Sequence, residues 1–186
     1  MQKFLHSPNS QALLQKSREN QHKVHFEISQ NMIVDKAKDT HSYEGALISS
    51  LLREKLQERK LDYSFETVMS HNSKIDDIKA ARENGYKTYL YFICIDDPEV
   101  NISRVQNRVE KGGHPVDKQK VEDRYYRTLK LLISAIEASD KSYLFDNSSE
   151  QLTLIAKIID GKLELTVNPE KLPNWFLEYV LKYYEI

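Results

Sequence analysis

The sequence predicts an α/β fold: a three-layer arrangement of a parallel sheet with flanking helices, small β-hairpins near both ends and a C-terminal helix. One observation is the continuous apolar run from Tyr89 to Ile95, which is typical of a strand covered on both faces, as in parallel sheets. The other is the alternation of helical and strand patterns over residues 43–145. The 186 residues are enough for one domain with a substantial core.

Composition narrows the classes of function. The 27 basic and 28 acidic residues give a net charge of -1, which favours neither nucleic acid nor an anionic membrane as a partner. A single cysteine, Cys94, excludes a disulfide framework and predicts a buried thiol in a reducing compartment. No apolar stretch approaches the roughly 20 residues of a membrane span, so the sequence predicts a cytoplasmic protein.

The first third of the chain predicts two helices and a hairpin. Ser7 is a candidate N-cap with Pro8 in the first turn, and this helix should end near Asn20. Alternating apolar residues in 24–34 predict a small hairpin. From residue 43, leucines and isoleucines at three- and four-residue intervals predict an amphipathic helix.

The middle of the chain predicts a right-handed βαβ unit. Residues 63–65 suggest a short strand, and apolar spacing over 75–81 suggests a helix that stops at Gly85. Residues 87–95 form the clearest strand pattern in the chain.

The remaining elements follow in the same alternation. Asp97-Pro98 opens a helix that Gly112-Gly113 ends, and a longer helix leads to an apolar strand at 143–145. Asp160-Gly161 is a two-residue turn signal between apolar runs, which predicts a hairpin. Residues 172–184 predict a terminal helix docked by aromatic side chains.

Ligands of open α/β sheets bind beyond the carboxyl ends of the strands, so residues that follow strands are the first candidates for a site. Directly after the predicted strand at 63–65 come Glu66, Thr67, Ser70 and His71. A carboxylate at this position can bind Mg²⁺ through water or orient a substrate hydroxyl. The alternative is that Glu66 and Thr67 cap the next helix.

A basic cluster forms the second candidate place. Its members are Arg104, Arg108, His114, Arg124 and Arg127. Arg104 and Arg108 share a helical face, and Gly112 with Gly113 allows the following loop to close over a ligand. Arginine suits phosphate because its planar fork binds two oxygens at once. The alternative is a solvated face whose arginines form ion pairs with nearby glutamates.

Asp146 and Asn147 follow the strand at 143–145 and form the third candidate place. They can meet an adenine or ribose edge, or they can form an ordinary turn. The six histidines show no metal-ligand spacing, so no metal site is predicted from them.

Several linked motifs resemble one family in order and spacing. They are SFETVMSH at 64–71, GYK at 85–87, DPE at 97–99, RV at 104–105, GGHPV at 112–116, RYY at 124–126 and LFDNS at 144–148. Together they are similar to the predicted ATPases of the zeta-toxin-like P-loop kinase group, over about residues 43–149.

The resemblance implies a P-loop kinase-like sheet in a single domain over residues 1–186, with residues 150–186 as a C-terminal appendage of hairpin and helix. It implies ATP and Mg²⁺ as cofactors and Glu66, Arg108 and Arg124 as catalytic residues. By the same analogy, the other residues of the first two places bind substrate or phosphate, and Asp146 and Asn147 bind the nucleotide. Characterised zeta toxins phosphorylate UDP-N-acetylglucosamine and are countered by an antitoxin, so the resemblance implies a small phosphorylated or nucleotide-sugar substrate.

The sequence departs from the family at one point: none of its five glycines opens the phosphate-binding pattern GxxxxGK[ST]. Either the chain is the downstream portion of a longer product, or it is a degenerate relative that no longer turns over ATP. A kinase with compromised activity and a non-catalytic interaction module both remain open. A missing strand would expose a sheet edge, so self-association is also expected.

Overall fold

The computed structural model describes residues 2–30, 32–36, 42–113 and 115–184. Contacts divide the chain into two compact units, Met1–Phe65 and Glu66–Ile186. In the described ranges, no helix is both long and apolar enough to cross a bilayer.

The first unit combines helices with one hairpin. Its elements are α1 (Gln2–Leu5), α2 (Pro8–Glu19), β1 (Phe26–Ser29), β2 (Met32–Asp35) and α3 (Ser42–Glu58). The predicted start of α2 is confirmed, because the Ser10 backbone N–H donates to Ser7 Oγ at 3.4 Å. The predicted hairpin is confirmed as the antiparallel pair β1–β2.

A small core holds this unit together. Phe4, Leu47 and Leu51 are buried, and partly buried residues of α2 and β1 pack against them. Glu44 of α3 is also buried, and His22 Nε2 lies 2.5 Å from its Oε1. An apolar stripe on α3 and one buried polar contact therefore fix α3 within its own unit.

The strand predicted at 63–65 is wrong. Residues 61–70 adopt no regular structure. Tyr63 instead stacks on Phe65 at 6.3 Å between ring centroids, and the guanidinium of Arg53 on α3 lies 4.8 Å from the centre of the Phe65 ring. The aromatic side chains thus find partners on one another and on a helix, so their alternation does not require a sheet.

The second unit carries the larger sheet and its helices. Its elements are α4 (Ser73–Glu83), β3 (Tyr89–Cys94), α5 (Pro98–Glu110), α6 (Lys118–Ala138), β4 (Lys141–Asp146), β5 (Thr153–Ile159), β6 (Lys162–Leu165) and α7 (Asn174–Phe176), which continues as a π-helical segment, Leu177–Leu181.

The sheet has the order β3-β4-β5-β6. β3 and β4 are parallel, and β5 and β6 extend the sheet as an antiparallel hairpin. The predicted turn is confirmed, because Asp160 and Gly161 both have positive φ (51° and 75°), as a type I′ turn requires. The predicted α/β class is therefore confirmed, with a mixed sheet. The crossover runs from β3 through α5 and α6 to β4, whereas the unit predicted from residues 63–65 does not form.

One core lies between this sheet and its helices. Leu132 on α6, Leu144 on β4 and Phe176 on α7 are fully buried within it. The predicted docking of the terminal segment by aromatic residues is confirmed, since Trp175 lies 5.7 Å from Phe92 between ring centroids.

The prediction that β3 is covered on both faces is wrong. Phe92 is buried, but Tyr89, Tyr91 and Ile93 on the opposite face are more than half exposed. Among the described strands β3 lies at one end of the sheet, and the core of this unit packs against only one of its faces. Cys94 lies toward the covered face and is half-buried, and burial raises the pKa of its thiol to about 12, so the thiol stays protonated.

Candidate functional site

The carboxyl ends of β3 and β4 are where the second unit gathers its polar side chains. The Tyr125 hydroxyl of α6 donates to the carbonyl of Ile95 at 2.9 Å and approaches that of Asp96 at 3.2 Å. Burial is the main reason that the pKa of Tyr125 is raised, so the phenol stays a neutral donor. This contact fixes the first half of α6 beside the end of β3.

Helix α5 is held at the same end of the sheet. The Asp97 side chain caps α5 by accepting from the Glu99 N–H, as its Asp-Pro start predicts. One turn and a half later, Arg104 donates from a guanidinium nitrogen to the Asn147 carbonyl at 3.3 Å. Asn147 in turn donates its backbone N–H to the Cys94 carbonyl at 2.8 Å. Arg104 is therefore placed at the ends of both parallel strands.

A concavity of about 500 Å³ lies along the second half of α5. Its lining combines three cations, one amide and two glycines: Arg104, Asn107, Arg108, Lys111, Gly112 and Gly113. The four side chains recur at three- and four-residue intervals, so they occupy one face of the helix. This arrangement brings together the predicted pair Arg104 and Arg108, and it adds Asn107 and Lys111.

The glycines close the concavity where α5 ends. Gly112 has a φ of +89°, a conformation that costs side-chain-bearing residues free energy. Gly113 lies so close to α5 that a Cβ there would approach Arg108 Cγ at 2.7 Å and the Arg108 carbonyl oxygen at 2.8 Å. Only glycine fits this path, which keeps the backbone tight against Arg108.

The loop 66–70, which contains Glu66 and Thr67 of the first candidate place, lies beside α6. Thr128 Oγ1 donates to the Val68 carbonyl at 2.7 Å. Arg124 lies four residues before Thr128 and therefore on the same helical face. Glu66 and Thr67 are exposed, and Thr67 Oγ1 accepts from the Met69 N–H at 3.2 Å. The N-cap position of α4 belongs to Asn72, so neither Glu66 nor Thr67 caps that helix.

The other predicted residues are distributed more widely. His71 Nδ1 accepts from the Ser73 N–H at 3.2 Å at the start of α4, and Ser70 is half-buried beside it. Arg127 is exposed and donates to the Asp123 carbonyl, away from the lining of the concavity. His114 lies outside the described residues.

Asp146 is occupied by contacts within the protein. Its Oδ1 accepts from the Trp175 indole N–H at 3.2 Å and from the Ser148 hydroxyl at 2.7 Å. Asp96 similarly accepts from the backbone N–H of Trp175 and the side-chain amide of Asn174. The turn alternative for Asp146 is thus what the structure contains, and the two carboxylates attach the terminal helix to the strand ends.

The alternative of ion-paired arginines can be judged for two members of the cluster. Across the ranges that the structure describes, Arg104 and Arg124 form no ion pair with an acidic side chain. These ranges also contain no group of three or more histidine, cysteine, aspartate or glutamate side chains that could hold a metal ion. The three cations on one face of α5 are of the kind that suits an anionic ligand.

Fold and site together define a class: α/β proteins whose candidate ligand site lies at the carboxyl ends of parallel strands. The chain belongs to the zeta toxin family, whose model matches residues 17–151. The family as a whole is one of kinase-like phosphotransferases, which describes the family and not the activity of this chain. The match begins further toward the N terminus than the motifs at 43–149.

The chain is also similar to a protein from Haemophilus influenzae that is described as an uncharacterized protein. It is 37% identical over 65 residues, which cover 35% of this chain and 46% of the relative. The chain thus spans about half the length of that relative. No solved structure matches the chain.

Proposed function

We propose that this chain is a phosphotransferase domain that binds a phosphorylated small molecule or nucleotide sugar in the concavity along α5. The observation that carries the proposal is the grouping of Arg104, Asn107, Arg108 and Lys111 on one helical face, closed by two glycines. Its three cations would neutralise phosphate oxygens, and the arginines can bind two oxygens each.

The other predicted site residues would act around this cationic face of α5. Arg124 lies on the face of α6 that contacts the loop 66–70, and it would approach the transferred phosphoryl group from that side. Glu66 in that loop is exposed and would orient or deprotonate a substrate hydroxyl. Asp146 and Asn147 would border the nucleotide, with the Asp146 carboxylate held by Trp175 and the Asn147 backbone bonded to Arg104 and Cys94.

The cofactors that the family implies fit this chain to different degrees. ATP supplies the phosphoryl group when bound, and the cationic face of α5 fits its phosphates. Mg²⁺ fits less well, because the described residues offer no carboxylate cluster near that face. Proteins hold Mg²⁺ largely through substrate phosphates and water, so no step is assigned to a metal here.

Calorimetric titration of the full chain with ATP, pyrophosphate and UDP-N-acetylglucosamine tests the proposal. Arg108→Ala should weaken binding of whichever phosphate compound binds by about tenfold, the effect of one charge-assisted contact. Lys130→Ala is the matched control, because Lys130 is an exposed cation of α6 that does not line the concavity. The control should change binding less than about twofold.

Phosphorus NMR of the same mixtures separates catalysis from binding. Transfer of phosphate from ATP that Glu66→Gln abolishes would support a phosphotransferase. Binding that depends on Arg108 without turnover would instead indicate a non-catalytic module that keeps the site. Absence of both binding and turnover would reject the proposal.

A further inference from the structure

The loop 66–70 contains a backbone conformation that side-chain-bearing residues seldom adopt. Met69 has a φ of 55°, in the left-handed region, and its side chain is buried in the core of the second unit. A residue other than glycine keeps such a conformation only where its surroundings hold it there. The contacts next to Met69 therefore determine the path of this loop.

Two hydrogen bonds hold the backbone next to Met69. Thr67 Oγ1 accepts from the Met69 N–H at 3.2 Å, a contact within the loop itself. Thr128 Oγ1 donates to the Val68 carbonyl at 2.7 Å from α6, 60 residues further along the chain. Thr128 thus provides a tertiary contact with the peptide group directly before Met69.

Helix α6 is a fixed support for this contact. Leu129 and Leu132, on either side of the next turn, are buried in the core. The Tyr125 hydroxyl donates to the Ile95 carbonyl at the end of β3. A side chain on a packed helix places its partner more precisely than a side chain on a loop does. The Thr128 hydroxyl is therefore well placed to set the position of the loop.

The segment that Thr128 holds includes Glu66. Glu66 lies two residues before Val68, and both of these side chains are exposed while Met69 is buried. Arg124 lies one helical turn before Thr128 on the same face of α6. The hydrogen bond to Val68 therefore keeps the segment that contains Glu66 beside the part of α6 that carries Arg124.

We propose that Thr128 is a positioning residue, whose hydrogen bond to the Val68 carbonyl fixes loop 66–70 in the conformation in which Glu66 meets the substrate hydroxyl. This role rests on the proposed phosphotransferase function. Thr128 lies outside the lining of the concavity along α5, so it acts on the chemical step and not on the binding of phosphate. A displacement of about 1 Å at a reacting group can slow a reaction about a hundredfold.

Hydrogen exchange of the full chain without nucleotide measures the contact directly. Thr128→Val keeps the branched shape and removes the donor. Amides of residues 66–70 should exchange about two- to tenfold faster, the effect of one neutral hydrogen bond. Thr166→Val is the matched control, because Thr166 Oγ1 donates to the Leu154 carbonyl in the same unit but follows β6. It should leave the exchange of 66–70 unchanged.

Steady-state kinetics separates positioning from stability. Thr128→Val should lower kcat by about ten- to a hundredfold, because Glu66 is displaced. KM and the calorimetric dissociation constant of the phosphate compound should change less than about twofold, because the face of α5 is intact. Thr128→Ser keeps a hydroxyl donor and should recover most of kcat. Thr166→Val loses an equivalent hydrogen bond and should leave kcat unchanged.

The possible results distinguish this role from the proposed function. Exchange of 66–70 that Thr128→Val leaves unchanged would overturn the positioning role alone. The same conclusion would follow from turnover that this variant leaves intact, or from a loss of kcat that Thr166→Val reproduces. An unmodified chain that binds phosphate compounds but transfers no phosphate would overturn both the phosphotransferase function and the role of Thr128.

Discussion

The indole N–H of Trp175 donates to the carboxylate of Asp146 at 3.2 Å, which connects the terminal helix to the last residue of β4. Trp175 is buried, so this donor has no access to water once the carboxylate is removed. Through this contact the terminal helix, which follows the β5–β6 hairpin in sequence, becomes part of the core of the second unit.

Asp146→Ala should therefore lower the free energy of unfolding by about 1–3 kcal/mol, the cost of leaving a buried donor unsatisfied. Urea denaturation measures the change. The double variant with Trp175→Phe should lose less than the sum of the single losses, since both remove the same bond. Strict additivity would show that the bond contributes nothing. Asp123→Ala, an exposed site on α6, should change stability by less than about 0.5 kcal/mol.

Gly113→Ala should destabilise the protein by about 1–3 kcal/mol, because the new Cβ meets the Arg108 backbone at 2.8 Å. It should also weaken phosphate binding, since the chain must move away from Arg108. Gly45→Ala in α3 is the control with the opposite sign. Its Cβ meets nothing within 4 Å, so alanine should stabilise the helix by about 0.5–1 kcal/mol. Thermal unfolding of both variants checks the pair, and equal melting temperatures would contradict the steric argument.

Part of the stability that the protein loses at low pH should come from Asp140. The Thr88 backbone N–H donates to Asp140 Oδ2 at 2.7 Å and is the main reason that the pKa of Asp140 lies below its ordinary value of 3.8. A lowered folded-state pKa contributes stability above the unfolded-state value, and this contribution is lost as the pH falls through the folded-state pKa. Asp140→Asn should flatten the stability profile below about pH 4.

Thr88→Ala is the informative comparison for that profile. It removes the hydroxyl that donates to Asp140 at 3.0 Å but keeps the backbone donor. Most of the acid dependence should therefore remain. Urea midpoints measured between about pH 2 and 6 give both profiles, and an Asp140→Asn profile parallel to that of the unmodified chain would exclude this carboxylate as a source of acid sensitivity.

Replacing either of two buried serines with alanine should change the stability of the protein, but in opposite directions. Ser142 Oγ on β4 has no hydrogen-bond partner in the described structure, so Ser142→Ala should stabilise the chain by about 1 kcal/mol. Ser17 Oγ donates to the His22 carbonyl at 2.6 Å, so Ser17→Ala should cost about 1 kcal/mol. Denaturation of the two variants tests both signs; a loss at Ser142 would mean that its hydroxyl has a partner, such as water.

Local chemistry made several elements predictable. Ser7-Pro8 and Asp97-Pro98 each contain their own capping group and first helical residue, so the starts of α2 and α5 follow from two adjacent residues. The spacing of Arg104 and Arg108 similarly placed both on one face. Continuing that spacing to Asn107 and Lys111 would have predicted the other two side chains of the concavity.

Features that depend on distant partners were not predictable. Whether the apolar run of β3 is covered on one face or two depends on which strands flank it, and periodicity does not contain that information. The role of Asp146 depends on Trp175, which lies beyond the whole hairpin in sequence. Residues 63–65 show strand periodicity, but stacking with Arg53 satisfies the same side chains.

The topology of the sheet also sets an order of events during protein synthesis. β4, β5 and β6 pair with sequence neighbours, whereas β3 must wait for β4 across all of α5 and α6. The nascent chain therefore exposes the apolar run of β3 outside the ribosome before its partner strand β4 has been synthesised. We expect stalled chains that end before Lys141 to bind ribosome-associated chaperones more tightly than chains released past Leu165, and crosslinking of stalled complexes would detect the difference. β3 is thus the strand of this sheet for which the growing polypeptide most needs protection.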